Sequence, residues 1–246
     1  MRKFGLIGFP LSHSFSKKYF SEKFTKAGIE NTTYELFPIE EAAQMKDLFD
    51  NDDNLIGLNV TIPHKEAVMQ WLDSIDDSAK KVGAVNVIKK EKGKLVGYNS
   101  DFYGFTESLE DFTDGKIPQK ALVLGTGGSS KAVTAALRMM GCKVTLVSRT
   151  SGKGVITYEE LKKKPEILKE NRLIVNTTPL GMKPNVEPKP DIDYSQLTSD
   201  HILFDLVYNP SVTSFMKAGK EKGARVKSGY QMLVMQAERA WEIWNE

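Results

Sequence analysis

Residues 121–150 read ALVLGTGGSSKAVTAALRMMGCKVTLVSRT, and this stretch decides the fold. Ala121-Leu122-Val123-Leu124 is a short apolar run that ends at Gly125, the pattern of a buried parallel strand. Gly125-Thr126-Gly127-Gly128 makes a turn, and Ser129-Ser130 open a helix whose apolar positions, Ala132, Val133, Ala136, Leu137 and Met140, recur at helical spacing. Gly141 ends that helix, and Val144 to Val147 form a second apolar strand leading into Ser148-Arg149-Thr150. A strand, a glycine turn, a helix and a parallel strand place unpaired backbone N–H groups and the positive end of a helix dipole at one point, a natural pyrophosphate site. Gly125 permits the tight turn, Gly127 lets a phosphate approach the backbone, and Ser130 stands where the fingerprint has its third glycine.

The end of the second strand selects the cofactor. An NAD site of this type carries Asp or Glu about 20 residues on, to bind the ribose 2′-hydroxyl. Here Arg149 stands between Ser148 and Thr150, and no carboxylate occurs before Glu159. A guanidinium fork flanked by hydroxyls suits a 2′-phosphate, so the stretch points to NADP.

Bulk properties narrow the class. The chain has 246 residues, 40 % hydrophobic and 27 % charged, which fits an ordinary globular protein of one large or two modest domains. A formal net charge of +2 is too small to point to nucleic acid or an anionic membrane surface. Cys142 is the single cysteine, so no intrachain disulfide can form, and a reducing, cytoplasmic setting is expected. His13, His64 and His201 are scattered and show no metal-ligand spacing. No apolar run reaches membrane-spanning length.

The N-terminal part reads as a separate mixed α/β domain. A strand over 3–8 leads through a loop to a helix expected to be capped by Ser16 and ended by Gly28. Ser14 and Ser16 read first as caps, and also as a cradle for a carboxylate at a helix start. Strands follow over 33–37 and 55–60, with a helix expected over 40–49 between them. Pro63 forces a turn after Asn59-Val60-Thr61, and Lys65 is expected just inside a new helix, a place the dipole disfavours for a cation. A short helix over 76–82, strands over 85–88 and 95–99, and a helix from Asp101, read as a possible N-cap, complete this part. Further on, strands are expected over 173–175, 202–204 and 223–226, and helices over 213–222 and 231–244.

Several ordered motifs then carry a resemblance. His13-Ser14-Phe15-Ser16, Asn59 to Lys65 (NVTIPHK), Gly83 to Asn86 (GAVN) and Asn99 to Gly104 (NSDFYG) resemble those of the shikimate dehydrogenase family. Asn176 to Met182, Asp205 to Pro210 and Gly229 to Gln236 continue the match, which spans essentially the whole chain. The resemblance implies an α/β chain with a substrate domain over 1–102 and 227–246. A Rossmann-like NADP-binding domain would occupy 103–226, with the last helix returning to the first domain. It implies that Ser14 and Ser16 hold the substrate carboxylate, that Asn59 or Thr61, with Asn86, Asp101 and Gln236, contact the ring hydroxyls, and that Tyr208 reaches the same pocket. Lys65 and Asp101 are implied as the catalytic pair, Gly125, Gly127 and Gly128 as pyrophosphate contacts, Ser148, Arg149 and Thr150 as the 2′-phosphate site, and Thr177, Val207 and Gly229 as nucleoside and nicotinamide contacts.

The implied reaction is the reversible reduction of 3-dehydroshikimate to shikimate with NADPH, by a monomer or homodimer whose domains close on a small-molecule substrate. The sequence departs from the family pattern at Lys17 (usually Pro), Val87 and Ser100 (usually Thr), in the turn GTGGSS, and at Ser148 (usually Asn). The alternatives are a quinate/shikimate dehydrogenase of broader substrate or NAD specificity, a non-catalytic NADP-binding homologue, and an unrelated two-domain NADP reductase. Arg149 argues against NAD, and the presence of both Lys65 and Asp101 argues against loss of catalysis.

Overall fold

The computed structural model describes residues 1–11 and 14–246. Ser12 and His13, the latter opening the first motif above, lie outside the described residues. The chain divides into two compact units, Met1–Ser100 with Ala237–Glu246, and Asp101–Gln236.

The first unit contains β1 (Arg2–Gly8), α1 (Phe15–Lys26), β2 (Thr32–Pro38), α2 (Gln44–Asp50), β3 (Leu55–Val60), β4 (Ser74–Ile75), α3 (Asp77–Val82), β5 (Val87–Glu91) and β6 (Lys94–Tyr98). Its sheet runs in the order β2-β1-β3-β5-β6-β4. β1 pairs in parallel with β2 and β3, while β5 lies antiparallel to both β3 and β6. Lys92 and Gly93, both at positive φ, close the β5–β6 hairpin through the kind of two-residue turn that matches strand twist. One sheet face buries Ile7, Met45, Leu58 and Ile88, and the other buries Phe4, Phe20 and Tyr34 beneath Trp244 from the chain's last helix. The Trp244 indole stacks on Phe4 at 4.7 Å and donates to the Ile88 carbonyl at 3.0 Å. Gly57 makes room for it, because a Cβ there would overlap the indole.

The second unit takes in α4 (Ser100–Thr113, from its second residue), β7 (Lys120–Leu124), α5 (Gly128–Met139), β8 (Lys143–Ser148), β9 (Val155–Thr157), α6 (Tyr158–Lys163), α7 (Pro165–Glu170), β10 (Leu173–Asn176), β11 (Ile202–Asp205), α8 (Ser214–Lys220), β12 (Arg225–Ser228) and the start of α9 (Tyr230–Asn245). Its strands pair in parallel in the order β12-β11-β10-β7-β8-β9, a doubly wound Rossmann-type sheet. The strand order reverses between β7 and β10, and such a reversal opens a crevice at the carboxyl ends of the strands. Parallel strands covered on both faces read as continuous apolar runs, and residues 121–124 and 173–175 are buried throughout.

Several expectations are corrected by the structure. The cap of α1 is Ser14, not Ser16: its extended backbone and its Oγ, accepting from the Lys17 N–H at 3.3 Å, end the helix there. Helix α2 begins at Gln44 instead of Glu40, because the Gln44 Oε1 accepts from the N–H groups of Glu40 and Glu41 and holds them in a turn. Lys65 precedes a five-residue 3₁₀ turn over Ala67–Trp71, so the dipole argument made for it has no α-helix to act through. Asp101 is the second residue of α4, not its cap. The strand expected from Val85 starts at Val87, since the Val85 N–H is bonded to the Lys65 carbonyl at 2.7 Å. The compact units divide at 100/101 and 236/237. β12 remains in the second sheet against β11, and only the latter part of α9 belongs to the first unit.

Candidate functional site

In the first unit the carboxyl ends of β1 and β3 and the amino end of β5 come together, because β5 is antiparallel to β3 with Asn59 opposite Val87. Asn59 (β3) and Asn86 (just before β5) are both buried, and each amide has fixed partners. The Asn59 Oδ1 accepts from the Tyr34 hydroxyl at 2.7 Å and its Nδ2 donates to the Asn86 carbonyl at 3.3 Å. The Asn86 Oδ1 accepts from the Ser100 N–H at 2.7 Å, and its Nδ2 donates to the Ser100 Oγ at 3.0 Å. Thr61 follows β3 with its N–H bonded to the Ile7 carbonyl at 2.9 Å, and Gly8 has no Cβ to overlap the Thr61 methyl.

The NVTIPHK segment is pinned from below. His64 is buried, with its Nε2 2.7 Å from the Ile39 carbonyl and its N–H on the Thr61 carbonyl at 3.0 Å. That contact turns the chain so that Lys65, partly buried, hangs on Val85 by a backbone bond beside the GAVN turn. His64 is therefore a framework residue. Ser14 and Ser16 stand at the start of α1, whose first turn carries no acid. The unit thus brings Ser14, Ser16, Asn59, Thr61, Lys65 and Asn86 to the strand-end side that parallel-rich sheets use for ligands.

In the second unit the glycine turn sits at the reversal point. Gly125 has φ +107°, and a Cβ there would come within 2.8 Å of the Thr177 Oγ1. Its N–H bonds to Val147 at 2.8 Å, while the Thr177 N–H and Oγ1 both bond to the Leu124 carbonyl, at 2.9 and 2.7 Å. Gly127 is the cap of α5 and gives that helix start no side-chain acceptor. A Cβ on Gly127 would meet no protein atom within 4 Å, so nothing crowds the start of α5, where the Ser130 N–H is bonded to the Gly127 carbonyl at 3.0 Å and the positive end of the helix favours an anion. Ser130 is buried and bonds back to the Gly127 carbonyl at 2.7 Å, which explains how serine fills the third glycine position. Arg149 and Thr150 are exposed beyond the end of β8, with Ser148 partly buried.

Two close approaches fix the remaining residues. A Cβ on Gly229 would overlap the Leu206 carbonyl, so Gly229 and Val207 lie against each other where β11 and β12 end. A Cβ on Gly104 would come within 2.6 Å of the Met232 carbonyl, so α4 and α9 meet there. Asp101 and Gln236, both buried, ride on those two helices, and Tyr208 follows on the loop after β11, its phenol shifted upward by burial.

Two polar centres gain their partners only in the structure. Tyr34 lies within the strand expected over 33–37. Asp205 is fully buried and accepts from the Asn176 Nδ2 at 2.9 Å, the Val207 N–H at 3.0 Å and the Thr213 Oγ1 at 2.5 Å. Burial still pushes its carboxyl up to about 6.

Comparison with known proteins agrees with this arrangement. Residues 6–88 match the family model described as the shikimate dehydrogenase substrate binding domain. The shikimate dehydrogenase (NADP(+)) of Clostridium beijerinckii is 42 % identical, over 100 % of this chain and 93 % of its own length. That of Carboxydothermus hydrogenoformans is 38 % identical, over 98 % and 90 %. The crystal structure of the Thermus thermophilus shikimate 5-dehydrogenase in complex with NADP(H) and shikimate superposes with a TM-score of 0.84 at 32 % identity, covering 99 % of this chain and 93 % of that one. On its sequence, its two sheets and the placement of its motifs, the chain belongs to the shikimate dehydrogenase family.

Proposed function

We propose that the protein is an NADP-dependent shikimate dehydrogenase, reducing 3-dehydroshikimate reversibly to shikimate in the cytoplasm, as a monomer or homodimer. The observation that carries this reading is the pairing, in one chain of this family, of the Ser14–Asn59–Lys65–Asn86 cluster with a glycine turn and Arg149 at the switch point of a parallel sheet.

The residues present fit the dinucleotide. Gly125, Gly127 and Gly128 would hold its pyrophosphate on the start of α5, Ser148, Arg149 and Thr150 its 2′-phosphate, and Thr177, Val207 and Gly229 its nucleoside and nicotinamide parts. When bound, NADPH supplies the hydride. The chain's own residues do the rest. Ser14 and Ser16 bind the substrate carboxylate through hydroxyl donors, and Asn59, Thr61, Asn86, Tyr208 and Gln236 orient the ring through its hydroxyls. Lys65 holds the proton that the oxygen at carbon 3 takes up on reduction and gives back on oxidation. Asp101 favours the charged ammonium and binds the neighbouring hydroxyl.

The test is an assay of the purified protein with shikimate or quinate, each with NADP⁺ or NAD⁺. Turnover is expected to be fastest with shikimate and NADP⁺. Faster turnover with quinate or with NAD⁺ would replace this reading with the broader dehydrogenase, and no turnover with any pair would replace it with a binding protein.

A further inference from the structure

The phenol of Tyr34 stands where nothing in the proposed chemistry requires a polar atom. Its ring belongs to the core: Tyr34 is 3 % exposed and stacks on Phe20 at 4.7 Å with 16° between the planes. A phenylalanine would satisfy that packing. The hydroxyl instead reaches along the sheet from β2 to the Asn59 Oδ1 at 2.7 Å.

The directions of these bonds follow from what each atom can do. The Asn59 Nδ2 must face the Asn86 carbonyl, which only accepts, so the Oδ1 faces Tyr34 and takes its single proton. The Asn86 amide is in turn clamped on both its atoms by Ser100. Two neutral side chains, Tyr34 and Asn59, therefore form one directional line ending on the Asn86 backbone, and burial keeps the phenol protonated by raising its ionisation far above the usual tyrosine range.

We infer that Tyr34 is a positioning residue for substrate recognition, holding the Asn59 amide in its one useful orientation. This rests on the proposed reading of Asn59 as a substrate contact. An alternative rotamer of Asn59 would set its NH₂ against the phenol and its oxygen against the Asn86 carbonyl, so Tyr34 and Asn86 together exclude it.

The experiment is a kinetic cycle of Tyr34→Phe, Asn59→Ala and the double variant, with thermal unfolding of each. Tyr34→Phe keeps the ring stacked on Phe20 and removes one oxygen, leaving the buried Asn59 Oδ1 without its donor. We expect the KM for shikimate to rise about tenfold, with kcat and the KM for NADP⁺ within about twofold of the parent. In the Asn59→Ala background the same change should add almost nothing, because its target is gone. An unchanged KM for shikimate in Tyr34→Phe, beside a raised one in Asn59→Ala, overturns the inference and leaves the site assignment standing. An unchanged KM in Asn59→Ala removes both. Equal rises in the KM of both substrates, or a full tenfold addition in the double variant, show Tyr34 to be a structural residue only.

Discussion

The two units solve the same problem, aiming polar groups at the ends of buried strands, with different materials. The first uses neutral side chains bonded to one another: Tyr34, Asn59, Asn86 and Ser100. The second uses backbone and a deeply buried carboxylate: the start of α5 behind Gly127, and Asp205 gathering Asn176, Val207 and Thr213. The contrast extends to the helix starts, since α1 is capped by the Ser14 side chain and α5 by none. Neutral amides and hydroxyls can point at a small polyol with selectivity and without coupling to pH. Backbone N–H groups serve a phosphate, whose charge needs donors but little selectivity. A buried carboxylate orders loops firmly, and it makes that order depend on protons.

The largest effects should come where the proposed chemistry depends on charge. Lys65→Met and Asp101→Asn are each expected to lower kcat by roughly 10²–10⁴, the usual worth of positioned acid–base groups. The double variant should be little worse than either single one if they act together. Steady-state assays of the three variants, with NADP⁺ binding measured separately, check this. Near-normal turnover in Lys65→Met would sink the mechanism, and fully multiplicative losses would split the two roles.

Next is the second unit's carboxylate. The folded-state value of Asp205, about 6, lies above its ordinary 3.8. A raised value means the folded protein holds the proton more tightly, so this contribution to stability is complete below the ordinary value and is lost as pH rises through about 6. Relative to Asp205→Asn, the parent should lose about 2–3 kcal/mol of stability between pH 4 and 7. Carboxylates such as Asp76 and Glu238, held below their ordinary values by hydroxyl, backbone or lysine donors, tilt both proteins the opposite way and cancel in the difference. Urea unfolding of both proteins at four pH values gives the answer. A pH-independent difference would mean that Asp205 titrates normally and that the contrast between the units is one of geometry alone.

Arg149 probes the same unit from its surface. Arg149→Ala should raise the KM for NADP⁺ about 10- to 100-fold, the worth of one or two charge-assisted hydrogen bonds, and leave any activity with NAD⁺ nearly unchanged. Equal losses with both dinucleotides would assign the guanidinium a structural task, such as its electrostatic contact with the Tyr158 phenol.

These contrasts explain what the sequence disclosed. The second sheet was legible almost strand by strand, because strands buried on both faces leave unbroken apolar runs, and β7, β8, β10 and β11 fall within about a residue of the positions read. The first unit was legible in its motifs and less so in its local structure. Whether residues 65–71 form an α-helix or a 3₁₀ turn is settled by His64 reaching Ile39, a tertiary contact without local signature. β4, with two residues, β9, with three, and the six-residue α7 carry too little pattern to register. Tyr34 and Asp205 were hidden for one reason. Each lies in a strand where burial is expected, and only the partner arriving from another strand shows that its polar atom has a task.

The smallest expected effect separates the two readings of Ser14 that sequence left open. Its Oγ accepts from the Lys17 N–H, so it is a cap, and its hydroxyl proton remains available to a carboxylate. Ser14→Ala should lower stability by about 1 kcal/mol through loss of the cap and also raise the KM for shikimate. That variant alone cannot tell a weakened helix start from a lost substrate contact. Ser14→Asp can. Aspartate is as good a cap as serine, and its charge suits the start of α1, whose first turn carries no acid. Stability should therefore hold or rise slightly. A carboxylate facing a carboxylate is repulsive, so the KM for shikimate should rise well beyond that of Ser14→Ala. Stability and KM moving in opposite directions in one variant would show both tasks at once. A KM that stays at the parent value in Ser14→Asp would reduce Ser14 to a cap, and the start of α1 would then differ from that of α5 only in how it is closed.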